Sequence, residues 1–243
     1  MRALENPMAA EELIRASQEY AETMRPREEG VHVSDIVACR RKGWYRLHGE
    51  PVAPHSLQTL LLFLMGQGHH SLLELGEEEV HLAVDFDGIR VTGTVDRQEQ
   101  DHGAPYPGEI KTTRASAGKM KTPLDHYVEQ AASYAVMQGV DRARIHVVFL
   151  LGDYKGAKLP QIKSWDLVFT DQELAAWRRE MGRRAQILAG SELPSLDEHQ
   201  EWECKYCPYN AALGGSCPAT GGTAHQWFPV AQDLDELLKG EAA

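Results

Sequence analysis

His70, Asp96, Glu109 and Lys111 are the residues of this chain whose types and spacing could do chemistry together. They stand in the segments GQGHH (66–70), GTVD (93–96) and GEIK (108–111). Breaking a phosphodiester puts extra negative charge on the phosphate oxygens, and water must lose a proton near neutral pH. A hard divalent cation serves both needs and binds through carboxylate and carbonyl oxygens. Asp96 is expected to end one strand and Glu109 to begin the next. Neighbouring strands lie about 4.8 Å apart, so the two carboxylates could share one cation. Lys111 follows Glu109 by two residues and therefore points to the same face. There its ammonium could orient the attacking water, help deprotonate it and offset transition-state charge. The backbone carbonyl of Ile110 is a further candidate ligand. A nitrogen ligand from His70 would favour manganese alongside magnesium. Taken singly, these are a turn aspartate, an exposed strand pair and a helix-surface histidine. Their conjunction carries the reading.

The cysteines form a second set. Cys204-x-x-Cys207 and Cys217 are bunched near the end, and Cys39 stands alone near the start. In a chain expected to be cytoplasmic, this spacing favours metal over disulfide. Four thiolates suit a tetrahedral zinc or an iron–sulfur cluster, and the count does not choose between them. In a zinc version, His199 or His225 could replace one ligand.

These residues need elements to hold them. Residues 8–24 read as an amphipathic helix broken by Pro26 and Gly30. Ser34 reads as the cap of a short helix carrying Cys39. Residues 56–75 have helical spacing, which places His70 late on a helix. Glu79–Phe86 alternates, Asp87-Gly88 is a hairpin turn, and Ile89–Arg97 returns. Gly108–Thr112 is a strand, and Pro123–Gln138 a helix closed by Gly139. Arg144–Leu151 and Ile162–Phe169 are strands, and Asp171–Ala189 is a helix capped at Thr170 or Asp171. The order predicts an α/β chain with a mixed central sheet flanked by helices. We expect a helical N-terminal region (1–55), a core (56–190), a cysteine-bearing lobe (191–220) and a polar tail (221–243) with a short helix at 231–238, all in one compact domain.

Four motifs in this order resemble the PD-(D/E)XK nuclease superfamily, and within it the RecB-like exonucleases. Gly66-x-x-x-His70 resembles the helix histidine motif, and its spacing selects His70 over His69. Gly93-Thr94-Val95-Asp96 resembles the metal-binding aspartate motif, with Val95 in place of the leading proline. Glu109-Ile110-Lys111 resembles the E-x-K element, and Gln130-x-x-x-Tyr134 the motif on the following helix. The resemblance covers roughly residues 60–170. It implies a restriction-endonuclease-like core and cleavage of DNA with Mg2+ or Mn2+. Gln130 would sit near the active site or the DNA, and Tyr134 would stack on or contact the strand. The one-plus-three cysteine layout resembles relatives carrying a 4Fe–4S cluster, namely the CRISPR-associated single-cluster exonucleases and phage relatives. Val33-Ser34-Asp35-Ile36, Cys39-Arg40-Arg41 and Trp44-Tyr45 resemble their first-cysteine motif. The gap from Cys207 to Cys217 is longer than is usual there. The cluster would pin the C-terminal lobe to the N-terminal helices.

Composition narrows the classes. The net charge of −11 argues against coating nucleic acid by bulk positive charge. Local clusters could still form a groove: Arg40, Arg41 and Lys42, then Lys111, Arg114, Lys119 and Lys121. The cluster Arg178, Arg179, Arg183 and Arg184 reads as a solvated face. No apolar run approaches the ~20 residues of a membrane span, and no signal peptide is expected. No phosphate-binding G-x-x-x-x-G-K-S/T loop occurs, so ATP-driven unwinding is not expected. The expectation is a cytoplasmic exonuclease acting on single-stranded DNA or DNA ends, its oligomeric state open. The alternatives are a nuclease-fold DNA-binding module among recombination or CRISPR-adaptation proteins, and a zinc-stabilised interaction protein.

Overall fold

A capped helix, a tight hairpin and a bent strand set the architecture. The structure is a computed structural model of the 243-residue chain. It describes residues 7–24, 29–73, 79–100, 103–152, 159–195, 201–218 and 228. In chain order it shows α1 (Pro7–Met24), β1 (Val31–His32), α2 (Val33–Val37), α3 (Arg40–Leu47) and α4 (Leu57–Leu73). Next come β2 (Val80–Phe86), β3 (Ile89–Val95), β4 (Arg97–Glu99), β5 (Tyr106–Thr113) and α5 (Asp125–Gln138). β6 (Arg142–Phe149), β7 (Gln161–Val168), α6 (Asp171–Ala189) and α7 (Glu201–Tyr206) complete the described elements.

The β2–β3 turn has Asp87 at φ 52° and Gly88 at φ 85°, the left-handed pair that a two-residue hairpin needs. The chain then bends at Asp96, and what reads as one strand from Ile89 to Arg97 is two. The mixed β architecture is accordingly split into two hydrogen-bonded sheets, ordered β1-β3-β2 and β4-β5-β6-β7. Each mixes parallel and antiparallel pairs, and β5 and β6 run parallel with α5 as their crossover. This is an α/β fold with mixed sheets flanked by helices.

α5 fills the centre because its residues are small: Ala131, Ala132 and Ala135 are buried. α6 starts in a reciprocal capping box between Thr170 and Glu173. Its Trp177, Met181, Ala185 and Leu188 are fully buried. Trp177 Nε1 donates to Ser133 Oγ of α5 at 3.0 Å, so the indole carries no unmet donor into the core.

Three expectations need correction. α2 is capped by His32, not Ser34, because the His32 ring accepts the Ser34 N–H while Asp35 takes the His32 N–H at 2.9 Å. Cys39 is the N-cap of α3 and stands between two helices instead of inside one. Arg184 does not lie on a solvated face. It is buried, donating to Glu180 Oε1 (2.7 Å), Glu129 Oε2 (3.1 Å) and the Ile36 carbonyl (2.8 Å). Most of the expected polar tail, its helix at 231–238, His199 and His225 lie outside the described residues. Among the described residues no helix is long and apolar enough to cross a membrane.

Candidate active site

β5 carries the centre of the site. Glu109 is 2% exposed, and the Lys111 ammonium is ion-paired with its Oε1. Lys111 Nζ also donates to Gln130 Oε1 at 2.8 Å, and Gln130 Nε2 donates to the Tyr134 hydroxyl at 3.1 Å. Gln130 and Tyr134 reach the strand together because they are one helical turn apart on α5. Asp96, at the bend after β3, accepts the Ile110 N–H at 2.7 Å and so is tethered between Glu109 and Lys111. β4, which begins one residue after Asp96, pairs antiparallel with β5 at Arg97 and Gly108, so Asp96 stands at the strand end adjoining Glu109, as expected.

Burial works against the Lys111 charge, but Glu109 and Asp96 outweigh it and hold the ammonium above its ordinary range. α4 crosses β5 closely: a Cβ on Gly66 would lie 3.3 Å from Thr112 Oγ1. His70 follows one turn later on α4, but its side chain lies outside the described residues.

Two neighbours, His126 and Tyr127, escaped the sequence reading, and Gly93 was read there only as part of a motif. A Cβ at Gly93 would lie 2.7 Å from Tyr134 Cε1 and 2.9 Å from Val33 Cγ2, so the glycine of GTVD admits the tyrosine ring. On the first turn of α5, the Tyr127 ring lies 5.7 Å below Lys111 Nζ. His126 packs on Tyr127 at 4.4 Å, and burial together with Lys111 pulls its imidazole down to about 4. Both precede Gln130 by three or four residues, a helical spacing that could have flagged them.

Not every expected DNA contact lies on the surface. Tyr134 is 1% exposed and offers no face to a base; its hydroxyl is tied to Gln130 and the Thr94 backbone. It positions Gln130. Arg40, at 6% exposure, is likewise buried. Arg41 Nε donates to the Pro194 carbonyl at 2.7 Å, while Arg114 and Lys119 are exposed. The loop bearing Lys119 is pinned by Lys163 Nζ, which donates to the Met120 carbonyl at 3.0 Å.

Cys39, Cys204, Cys207 and Cys217 line one small cavity with Arg41, Lys42, Tyr45 and Glu203. None of the four is joined in a disulfide. Burial pushes the Cys39 thiol up to about 11 and raises that of Cys207, which argues against a reactive nucleophile. The long gap between Cys207 and Cys217 is taken up by a 3-10 turn, Ala211–Leu213, and by Gly215 packed on the Tyr209 backbone. The Cys217 N–H donates to the Tyr209 carbonyl at 2.6 Å, which closes that loop.

The donor types fit two different metals. Carboxylates at Asp96 and Glu109 suit a hard cation, and four thiols suit a soft one. Among the described residues no three His, Cys, Asp or Glu side chains already converge into a metal-holding group.

Against this geometry, residues 5–212 match the profile of the PD-(D/E)XK nuclease superfamily. The crystal structure of SSO0001 is similar at 20% identity, covering 87% of this chain and 97% of that one with a TM-score of 0.57. The alkaline exonuclease LHK-Exo from Laribacter hongkongensis matches at 16% identity, covering 65% of this chain and 87% of that one with a TM-score of 0.39. No curated protein matches this chain.

Proposed function

The chain belongs to the PD-(D/E)XK nuclease superfamily, and from that premise we propose that it is a divalent-metal-dependent DNA exonuclease acting on single strands or DNA ends. The observation that carries this reading is the linked set Asp96, Glu109, Lys111 and Gln130 on three elements. Asp96, Glu109, the Ile110 carbonyl and His70 would hold Mg2+ or Mn2+, the cations such nucleases typically use. Bound there, the cation supplies Lewis-acid polarisation of the phosphate and a lowered pKa for water. Lys111 contributes positive charge where the phosphate oxygens gain negative charge. Gln130 fixes that charge in place, and Tyr134 fixes Gln130. Arg114 and Lys119 supply exposed cations for the strand.

The test is degradation of end-labelled single-stranded and blunt duplex DNA with Mg2+ or Mn2+. Lys111→Ala and Glu109→Ala should each cut the rate by about 10²–10³-fold, as expected for removing a preorganised electrostatic group. Equal rates for wild type and Lys111→Ala would overturn the assignment.

We also infer that the four cysteines hold a 4Fe–4S cluster, with zinc as the alternative. Their thiol chemistry and shared cavity support a structural site. Anaerobically purified protein should be brown, absorb near ~400 nm and contain iron. Colourless protein containing zinc would select the alternative.

A further inference from the structure

α7 leaves two large aromatic rings in solvent: Trp202 is 45% and Tyr206 52% exposed. They are one turn apart and share a helix face. The Trp202 ring stands 5.2 Å from the His126 ring of α5. His126 in turn touches Tyr127, whose ring underlies Lys111. A continuous line of rings therefore runs from the candidate catalytic lysine to the surface of the cysteine lobe. Exposed Lys205 falls between the two aromatics in sequence, and exposed Lys42 lines the neighbouring cysteine cavity. The same helix also carries Glu201 and Glu203, so its local charge is not positive and the exposed rings are its distinguishing feature.

We propose that Trp202 and Tyr206 form a base-stacking platform on which single-stranded nucleic acid lies as it enters the active site. The proposal rests on the nuclease reading and extends it to the strand's path. Aromatic faces accept any base, so such a platform holds a strand without reading its sequence, while flanking lysines meet the phosphates. The rings are continuous with the reacting centre, which favours a nucleic acid that must reach Lys111 over a protein partner that need not.

The experiment uses the full chain and fluorescein-labelled oligothymidylate, with divalent metal chelated so that nothing is cut. Trp202→Ala should weaken binding about 10-fold, within the range for losing one stacked base. Trp202→Phe keeps a ring and should keep most of the affinity. Oligothymidylate should quench tryptophan emission in wild type, and that quench should disappear in Trp202→Phe. A purely structural role for Trp202 would not produce that pairing of retained affinity and lost quench. Wild-type affinity in Trp202→Ala, or a quench that survives in Trp202→Phe, overturns the platform. If wild type meanwhile degrades DNA, the nuclease reading stands on its own. A wild type that neither binds nor cuts DNA overturns both.

Discussion

Gly93 and His126 carry the clearest consequences at the residue scale. Gly93 faces the Tyr134 ring and Val33 with no room for a methyl group. Gly93→Ala should cost about 1–3 kcal/mol through overpacking. It should also lower activity, because Tyr134 holds Gln130 on the lysine; urea denaturation and the cleavage assay read the two effects separately. His126 gives a pH signature. Burial, then the charge of Lys111, depresses its folded pKa to about 4 from 6.5. The unfolded chain therefore binds a proton that the folded chain refuses. The stability contribution is full above about 6.5 and is lost as pH falls toward 4, up to about 3 kcal/mol. In metal-free protein, His126→Gln should lose less stability than wild type between those limits; equal losses would remove His126 as the source. Asp96, Glu109 and Lys111 stood out in the sequence through their conjunction, and Gln130 through the family resemblance. His126, Tyr127 and the packing role of Gly93 did not, because their importance lies in what packs against them.

Elements were legible where a single periodicity runs long enough. α6 was read to its ends because Thr170 caps it and its apolar spacing is unbroken. The two-residue β1 and three-residue β4 are too short to show a period. The split into two sheets follows from the bend at Asp96, which no propensity signals. α6 also shows why charge alone misleads. Arg178, Arg179, Arg183 and Arg184 look alike in sequence, yet Arg184 points inward and joins Glu180 of α6, Glu129 of α5 and the Ile36 carbonyl of α2. That junction holds α5, and with it Gln130 and Tyr134, against the rest of the fold. Arg184→Ala would leave the buried Glu129 carboxylate without this cation, while Glu180 keeps Arg183, and should destabilise by about 3–5 kcal/mol. Arg183→Ala, at the more exposed neighbour, should cost about 1 kcal/mol or less. Similar shifts in the denaturation midpoints of the two variants would contradict this division.

At the scale of the whole molecule, the two ends of the chain are clasped around the core. The Cys39 N–H donates to Glu203 Oε1 at 3.2 Å across 164 positions of sequence. Trp44 Nε1 donates to the Gly190 carbonyl at 2.9 Å, and the Ala53 N–H to the Pro208 carbonyl at 3.1 Å. Tyr45 stacks on Tyr209 with centroids 5.3 Å apart. The cysteine pattern signalled a link between the ends, but not these hydrogen bonds and rings, which depend on side chains of ordinary type. If a cluster also joins the ends, it closes a very long loop, and cross-linking a loop of that order is worth about 4–5 kcal/mol on an entropic account. One cluster has a diagnostic consequence. Cys39→Ser removes the N-terminal anchor and Cys204→Ser a C-terminal one, yet either should abolish the same closure. Each single variant should lower the thermal midpoint and the iron content, and the double variant should fall little further than the singles. Additive losses would mean that Cys39 and Cys204 stabilise the fold separately, as buried thiols and not as ligands of one centre.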